Sequence, residues 1–176
     1  MPLQLGVEIP STPADGKVNR VFVPKIADIH APTLEEINAG TDLSNYVMLG
    51  GWNCEPSQDA ISDQRENSTQ DFETPGRKKL SGPTVEVIDN TNTDHEDQNA
   101  AMETLTEGVE GFWVTRRGMD TDKAFAADQI VGVYAARIGM SSTIKPDANT
   151  VQRSTISWSA QAPGWDENAK VAGTQA

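Results

Sequence analysis

The most restrictive feature of this chain is its punctuation. Apolar residues occur in short runs that alternate with polar ones, and glycines and prolines break the chain into many short elements. "GPTVEVIDN" sets Val85 and Val87 against Glu86 and Ile88, the period-two pattern of a half-buried strand. "DQIVGVYAARIGMSSTIK" carries apolar residues on both parities. Ile130, Gly132, Tyr134, Ala136 and Ile138 share one face; Val131, Val133, Ala135 and Arg137 take the other. "TVQRSTISWSAQ" places Ile156 and Trp158 opposite Thr155 and Ser157. With 14 glycines and 10 prolines in 176 residues, the expectation is a mainly β domain of many short elements.

The remaining elements follow from local signals. Residues 1–16 contain Pro2, Pro10, Pro13 and Gly16 without periodicity and are expected to form an N-terminal arm. "KVNRVFVPKIADI" is an expected first strand, with Pro24 confining its donor side to an edge or bulge. In "APTLEEINAG", Thr33 with Glu36 three positions on forms a capping box, Leu34 and Ile37 share a face, and Gly40 offers a left-handed stop. "LSNYVMLGGWNCEP" returns to strand character, with a bulge expected at Gly50 and Gly51. Residues 57–77 are polar apart from Ile61 and Phe72, which is consistent with a long hairpin or an exposed loop. "EGFWVTRRG" is a further strand. The domain is expected to span residues 17–162, followed by a C-terminal tail over 163–176 that lacks apolar residues for a core, though Trp165 offers an anchor.

The stretch "DNTNTDHEDQ" from Asp89 to Gln98 crowds four acids and a histidine together and invites a metal-site reading. The ligand templates do not fit. A calcium loop begun at Asn90 puts His95 where glycine is needed and Ala101 at the final ligand position; begun at Asn92, it recovers Glu103 but places Asp97 at the glycine. His95 has no second histidine or cysteine at zinc spacing. Thr93 with Glu96 forms a second capping box, so the expectation is a helix from Asp94 to Leu105, with Asp94, Glu96 and Asp97 placed where free N–H groups favour negative charge.

Charge and chemistry exclude several functions. Net charge is −12, from 26 acids against 14 Lys plus Arg, and from Lys79 to Arg116 eight carboxylates intervene without a single cation. Such a surface repels phosphate backbones. "RRG" at Arg116 and "GRKK" at Gly76 are read as partners for nearby acids. No Walker loop, G-x-G-x-x-G, G-x-S-x-G or H-E-x-x-H occurs, so no enzyme, cofactor or metal is expected. Cys54 cannot bridge within the chain and is expected to be an inert thiol. The first twenty residues lack a signal-peptide pattern and no apolar run approaches membrane length, which sets the expectation of synthesis and assembly in a cytoplasm without membrane insertion.

Taken in order, "VFVPKIADIHAPTLEEINAGTDLS", "GGWNCEPS", the polar segment, "PGRKKLSGPTVEV" and "EGVEGFWVTRRG" resemble the major tail tube proteins of phages with long, non-contractile tails, in particular the actinobacterial group. The resemblance implies an α+β form of the mainly β class: a β-sandwich or partial barrel with a flanking helix, completed as a continuous barrel in hexameric rings that stack into a tube. It implies a virion component whose partners are other copies of itself, a tape measure protein, a tail terminator and distal tail or baseplate proteins. Genomic DNA would pass through the lumen without specific binding. By segment, residues 57–77 would stack one ring on the next, with Ser57, Asp59, Ile61, Gln64, Arg65, Phe72 and Arg77 as candidate contacts, and the helix from Asp94 to Leu105 would pack outside the inner sheet. Two other readings stand beside this one. The first is a monomeric β-sandwich module binding carbohydrate or protein through Trp52, Trp113 or Trp158, although tryptophans in alternating strands favour a core role. The second is a small hydrolase of unrecognised type.

Overall fold

The computed structural model describes residues 6–173. The arm residues 1–5 and the tail residues 174–176 lie outside it. The elements in order are β1 (Val18–Val23), α1 (Leu34–Asn38), β2 (Thr41–Asp42), β3 (Val47–Asn53), β4 (Pro56–Asp63), β5 (Phe72–Leu80), β6 (Thr84–Ile88), α2 (Ala100–Thr104), β7 (Glu110–Arg117), β8 (Ile130–Thr143) and β9 (Arg153–Lys170). Seven strands form one antiparallel sheet in the order β2-β1-β7-β8-β9-β6-β3, and β4 pairs with β5 as a separate hairpin.

The sheet curls into a half-barrel, and the double parity of β8 explains why. Tyr134, Ala136 and Ile138 enter an inner cluster with Phe22, Trp113, Val85 and Trp158. Val131 and Val133 enter a second cluster on the outer face with Val21, Val23, Val114 and Ala169, covered by Ile37 of α1 and by Ile26 and Ile29 of the preceding segment. A strand buried on both faces must be apolar on both parities, which is what this one is. The residues between β2 and β3 draw the two borders of the curl together: Leu43 N–H donates to Arg20 O at 2.8 Å, and Ile88 N–H donates to Tyr46 O at 2.8 Å. Trp52, on border strand β3, packs across the inside against Trp113, Tyr134 and Trp158.

Two glycines carry this geometry. Gly50 adopts φ +75, a conformation that side chains disfavour, and the β3–β6 register shifts between Val47 and Trp52. Gly111 on β7 lies so close to β1 that a Cβ would meet the Phe22 ring at 2.7 Å and Val23 O at 2.8 Å.

α1 is capped at its start. Glu36 N–H donates to Thr33 Oγ1 at 3.2 Å, while Thr33 N–H donates to Glu36 Oε2 at 2.9 Å. The Glu36 carboxylate also accepts from Ala27 N–H at 2.8 Å, fastening the helix to the segment before it.

The structure corrects several expectations. The helix expected from Asp94 is only α2, Ala100–Thr104, with Asn99 at its N-cap and no side-chain cap bond. Thr93 and Glu96 form no capping box, because the Thr93 hydroxyl donates to Asn90 O at 2.8 Å and accepts from His95 N–H at 3.2 Å. The segment is a loop stitched by side chains instead: Asn99 Oδ1 accepts from Asn90 N–H at 3.1 Å, and Asn90 Nδ2 donates to Gln98 O at 2.7 Å. Ala101 and Leu105, four apart on one face, are buried in the inner cluster and so hold α2 against the sheet. The C-terminal segment is no tail from Pro163, because β9 continues to Lys170 against β8, and Ala169 and Val171 are buried at 1% and 2% exposure. Pairing with the long β8 supplies the backbone partners that composition cannot reveal. Gly82, at φ +54, marks the turn between β5 and β6.

Candidate assembly surface

The β4–β5 hairpin stands away from the body. Its register runs from Pro56↔Leu80 to Asp63↔Phe72, with a bulge between Gln58 and Ala60. A Cβ at Gly76 would meet Asp59 O at 2.9 Å, so the bulge needs glycine opposite it. Nearly every side chain on both strands is exposed, including Ile61 at 58% and Phe72 at 56%. Its polar bonds are internal: Lys79 pairs with Asp59 at 2.8 Å, Arg65 with Asp63 at 2.8 Å, and Gln58 Nε2 donates to Gly76 O at 2.9 Å. Acids predominate toward its tip, where Asp63, Glu66, Asp71 and Glu73 accompany Arg65, and cations toward its root, where Arg77, Lys78 and Lys79 accompany Asp59. A lone two-stranded hairpin is marginal in water.

The candidate contact residues Ser57, Asp59, Ile61, Gln64, Arg65, Phe72 and Arg77 all fall on this hairpin or its tip. Thr33, Glu36, Thr93 and Glu96 lie elsewhere, the first two at α1 and the others in the loop before α2.

The sheet also leaves backbone edges open. β6 pairs with β9 only over Arg153–Ser157, so among the described residues the later part of β9 has β8 on one side and no strand on the other. β8 is likewise unpaired on its β7 side beyond Ile138. Open edges of this kind are templates for pairing with another chain.

The tryptophans are not stacking platforms. Trp113 and Trp158 are buried at 0% and 3% exposure, and Trp52 is half-buried among them. Cys54 sits half-buried beside the same cluster, where burial pushes its thiol up to about 12, far from a reactive thiolate. Among the described residues no group of three His, Cys, Asp or Glu is placed to hold a metal, and no helix is long and apolar enough to cross a membrane.

Two polar sites escaped the sequence reading. Arg116, read as a partner for acids, is instead buried at 1% exposure and donates to Asn19 Oδ1 at 2.6 Å, Lys123 O at 2.6 Å and Ala124 O at 2.9 Å. Its guanidinium stacks on Phe125 at 4.5 Å. It thereby shapes the loop between β7 and β8. His30 Nδ1 lies 2.6 Å from Asp166 on β9. That hydrogen bond holds the His30 imidazole above, and the Asp166 carboxylate below, their ordinary ranges. Neither contact has a local sequence signal, because the partners lie far apart in the chain.

Residues 7–174 match the model of a family described as phage tail tube protein. No curated protein sequence matches. Among solved structures, the chain is similar to one in the cryo-EM structure of the anti-feeding prophage baseplate, with 10% identity and a TM-score of 0.49 over 88% of this chain and 94% of that one. It is also similar to a chain in the cryo-EM structure of the sheath/tube terminator of the PVC extracellular contractile injection system, with 12% identity and a TM-score of 0.49 over 90% and 96%.

Proposed function

This chain belongs to the phage tail tube protein family, whose members are virion structural proteins rather than enzymes, and from that premise we propose that it forms six-membered rings stacking into the hollow tube of a long, non-contractile tail. We place it in the actinobacterial phage group, which its sequence segments resemble. In this reading the β4–β5 hairpin of one ring reaches the next, open edges of β8 and β9 join neighbouring copies, and DNA passes from capsid to host through the lumen. A tape measure protein sets the tube's length, and terminator and distal tail or baseplate proteins close its two ends.

The observation that carries this reading is the hairpin, which presents Ile61 and Phe72 to solvent at more than half exposure. A surface of that kind is useful only when another molecule covers it. The excess of acids supports the conduit role, because like charge denies passing DNA a place to adhere. Burial of Trp113 and Trp158 removes the support for a carbohydrate-binding module.

Negative-stain microscopy of the chain, co-expressed with the tail initiation proteins, tests the proposal. Rings and hollow tubes are the expected particles. Compact single particles at every concentration would overturn it.

A further inference from the structure

A groove of about 680 Å³ opens beside the free border of β3, lined by Val18, Arg20, Met48, Leu49, Trp52 and Thr121 among others. Three features of it are unfinished. β3 pairs with β6 on one side and has no strand on the other among the described residues. Leu49 is 95% exposed. The Arg20 guanidinium stacks on Trp52 at 4.1 Å and donates to Thr115 Oγ1 at 3.1 Å, yet no carboxylate pairs with it among the described residues.

The arm has the complementary pattern. Residues 6–13 form no regular structure and are exposed, with Val7 at 62% and Ile9 at 85%. Val7, Glu8 and Ile9 alternate apolar, acidic, apolar, so as an added strand they would send Glu8 to one face and both apolar side chains to the other. Pro10 follows at once and ends any such strand. The root of the same copy's arm turns at the groove and lines it through Ala14, Asp15 and Gly16, with Gly16 at φ +68 and Lys17 N–H donating to Ala14 O at 3.2 Å, and Asp15 makes no ion pair with Arg20.

We propose that the arm of one copy adds to the open border of β3 in a second copy, with Glu8 on the Arg20 guanidinium and with Val7 and Ile9 covering Leu49. Charge complementarity selects this occupant. Burial already lowers Arg20 to about 10, so a carboxylate arriving there meets a cation that has lost part of its water without gaining a counter-charge. Main-chain bonds of the added strand would supply affinity, and the single acid between two apolar residues would set the register. This inference rests on the reading that copies assemble, but concerns a different surface from the hairpin.

The test is cross-linking of an Ile9→Cys, Leu49→Cys variant with Cys54→Ala removing the native thiol, treated with a short bis-maleimide and examined in parallel by negative stain. A covalent ladder that requires both cysteines is expected. Rings or tubes without a ladder would overturn the arm contact and leave ring assembly standing; a ladder without rings would leave the contact and sink the tube reading. A cross-link confined to single chains, showing the arm folded onto its own copy, also overturns the proposal. Glu8→Lys lies on an exposed arm and leaves the fold intact, so it separates charge recognition from misfolding. Loss of the ladder in that background is expected, and an undiminished ladder overturns the Glu8–Arg20 contact.

Discussion

Trp52 and Trp113 meet edge to face with ring centroids 5.2 Å apart, although β8, β9 and β6 separate their strands in the sheet order. The contact spans the inside of the curl and converts an open sheet into a half-barrel. Because Trp52 also touches Tyr134 and Trp158, its removal releases the β3 border from three strands at once. Trp52→Ala is therefore expected to cost about 3 kcal/mol, within the range for truncating large aromatic residues. Chemical denaturation monitored by tryptophan fluorescence and circular dichroism reads it. A cost below about 1 kcal/mol, the size of an ordinary surface change, would show that the border is held by other contacts.

Arg116 makes the converse point about a polar residue. Its guanidinium satisfies the buried Asn19 Oδ1 and also holds the carbonyl oxygens of Lys123 and Ala124. Arg116→Met keeps much of the volume and removes the donors, so a loss of about 2 to 4 kcal/mol is expected from the unsatisfied acceptors. Hydrogen exchange should quicken first between residues 118 and 129. Uniform quickening across β7 and β8 would contradict a role confined to the loop.

The two threonine–glutamate pairs separate a formed cap from an unformed one. Thr33→Ala removes a real cap bond at α1 and should cost about 1 kcal/mol. Alanine at Asp94, Glu96 and Asp97 together should change stability by less than about 0.5 kcal/mol, since these side chains are exposed in a loop and touch no helix start. A larger loss in the triple variant would mean that the acids serve a contact not made within this copy.

The His30–Asp166 pair sets a pH dependence. His30 is raised by its bond to Asp166, so its contribution is fully present below the ordinary imidazole range and is lost as pH rises through the raised value. Asp166 is lowered by His30, so its contribution is present above the ordinary carboxylate range and is lost as pH falls through the lowered value. Asp28 and Lys78 also act on the pair, the first raising His30 and the second lowering Asp166. The difference in thermal midpoint between the wild type and His30→Gln should peak near pH 5, between the two ordinary ranges, and shrink by about pH 8. A difference that does not vary with pH would show that the pair contributes packing alone.

Deleting residues 57–77 removes the exposed part of a hairpin whose root residue Leu80, which packs on the core, is kept. The shortened protein should remain a folded subunit with its unfolding cooperative, while stacking of rings is abolished in the microscope. Tubes of normal length from this variant would remove the hairpin from the assembly mechanism.

Much of the fold was legible before any coordinates. Alternation at Val85–Ile88 and Ile156–Trp158, and apolar residues on both parities of Val131–Ile138, report strands directly, because side chains in a strand point to opposite faces and each buried face must be apolar. The Thr33–Glu36 cap was legible for the same local reason. Thr93 and Glu96 carry the same spacing without the cap, because Asn90 and Asn99 offer the chain a competing set of side-chain bonds that spacing does not encode.

Sequence alone determined the class of structure, the position of α1 and of several strands, the excess of negative charge and the absence of catalytic or dinucleotide-binding motifs, since each depends on near neighbours or on totals. Tertiary structure decided the rest. It placed polar residues 163–170 in a core-bounding strand, buried Arg116 without an acid, joined His30 to Asp166, and drew Trp52 across the curl to Trp113. Those outcomes depend on partners far apart in the chain. Only closing the long loops between such partners, at the cost of their entropy, brings them to the same place.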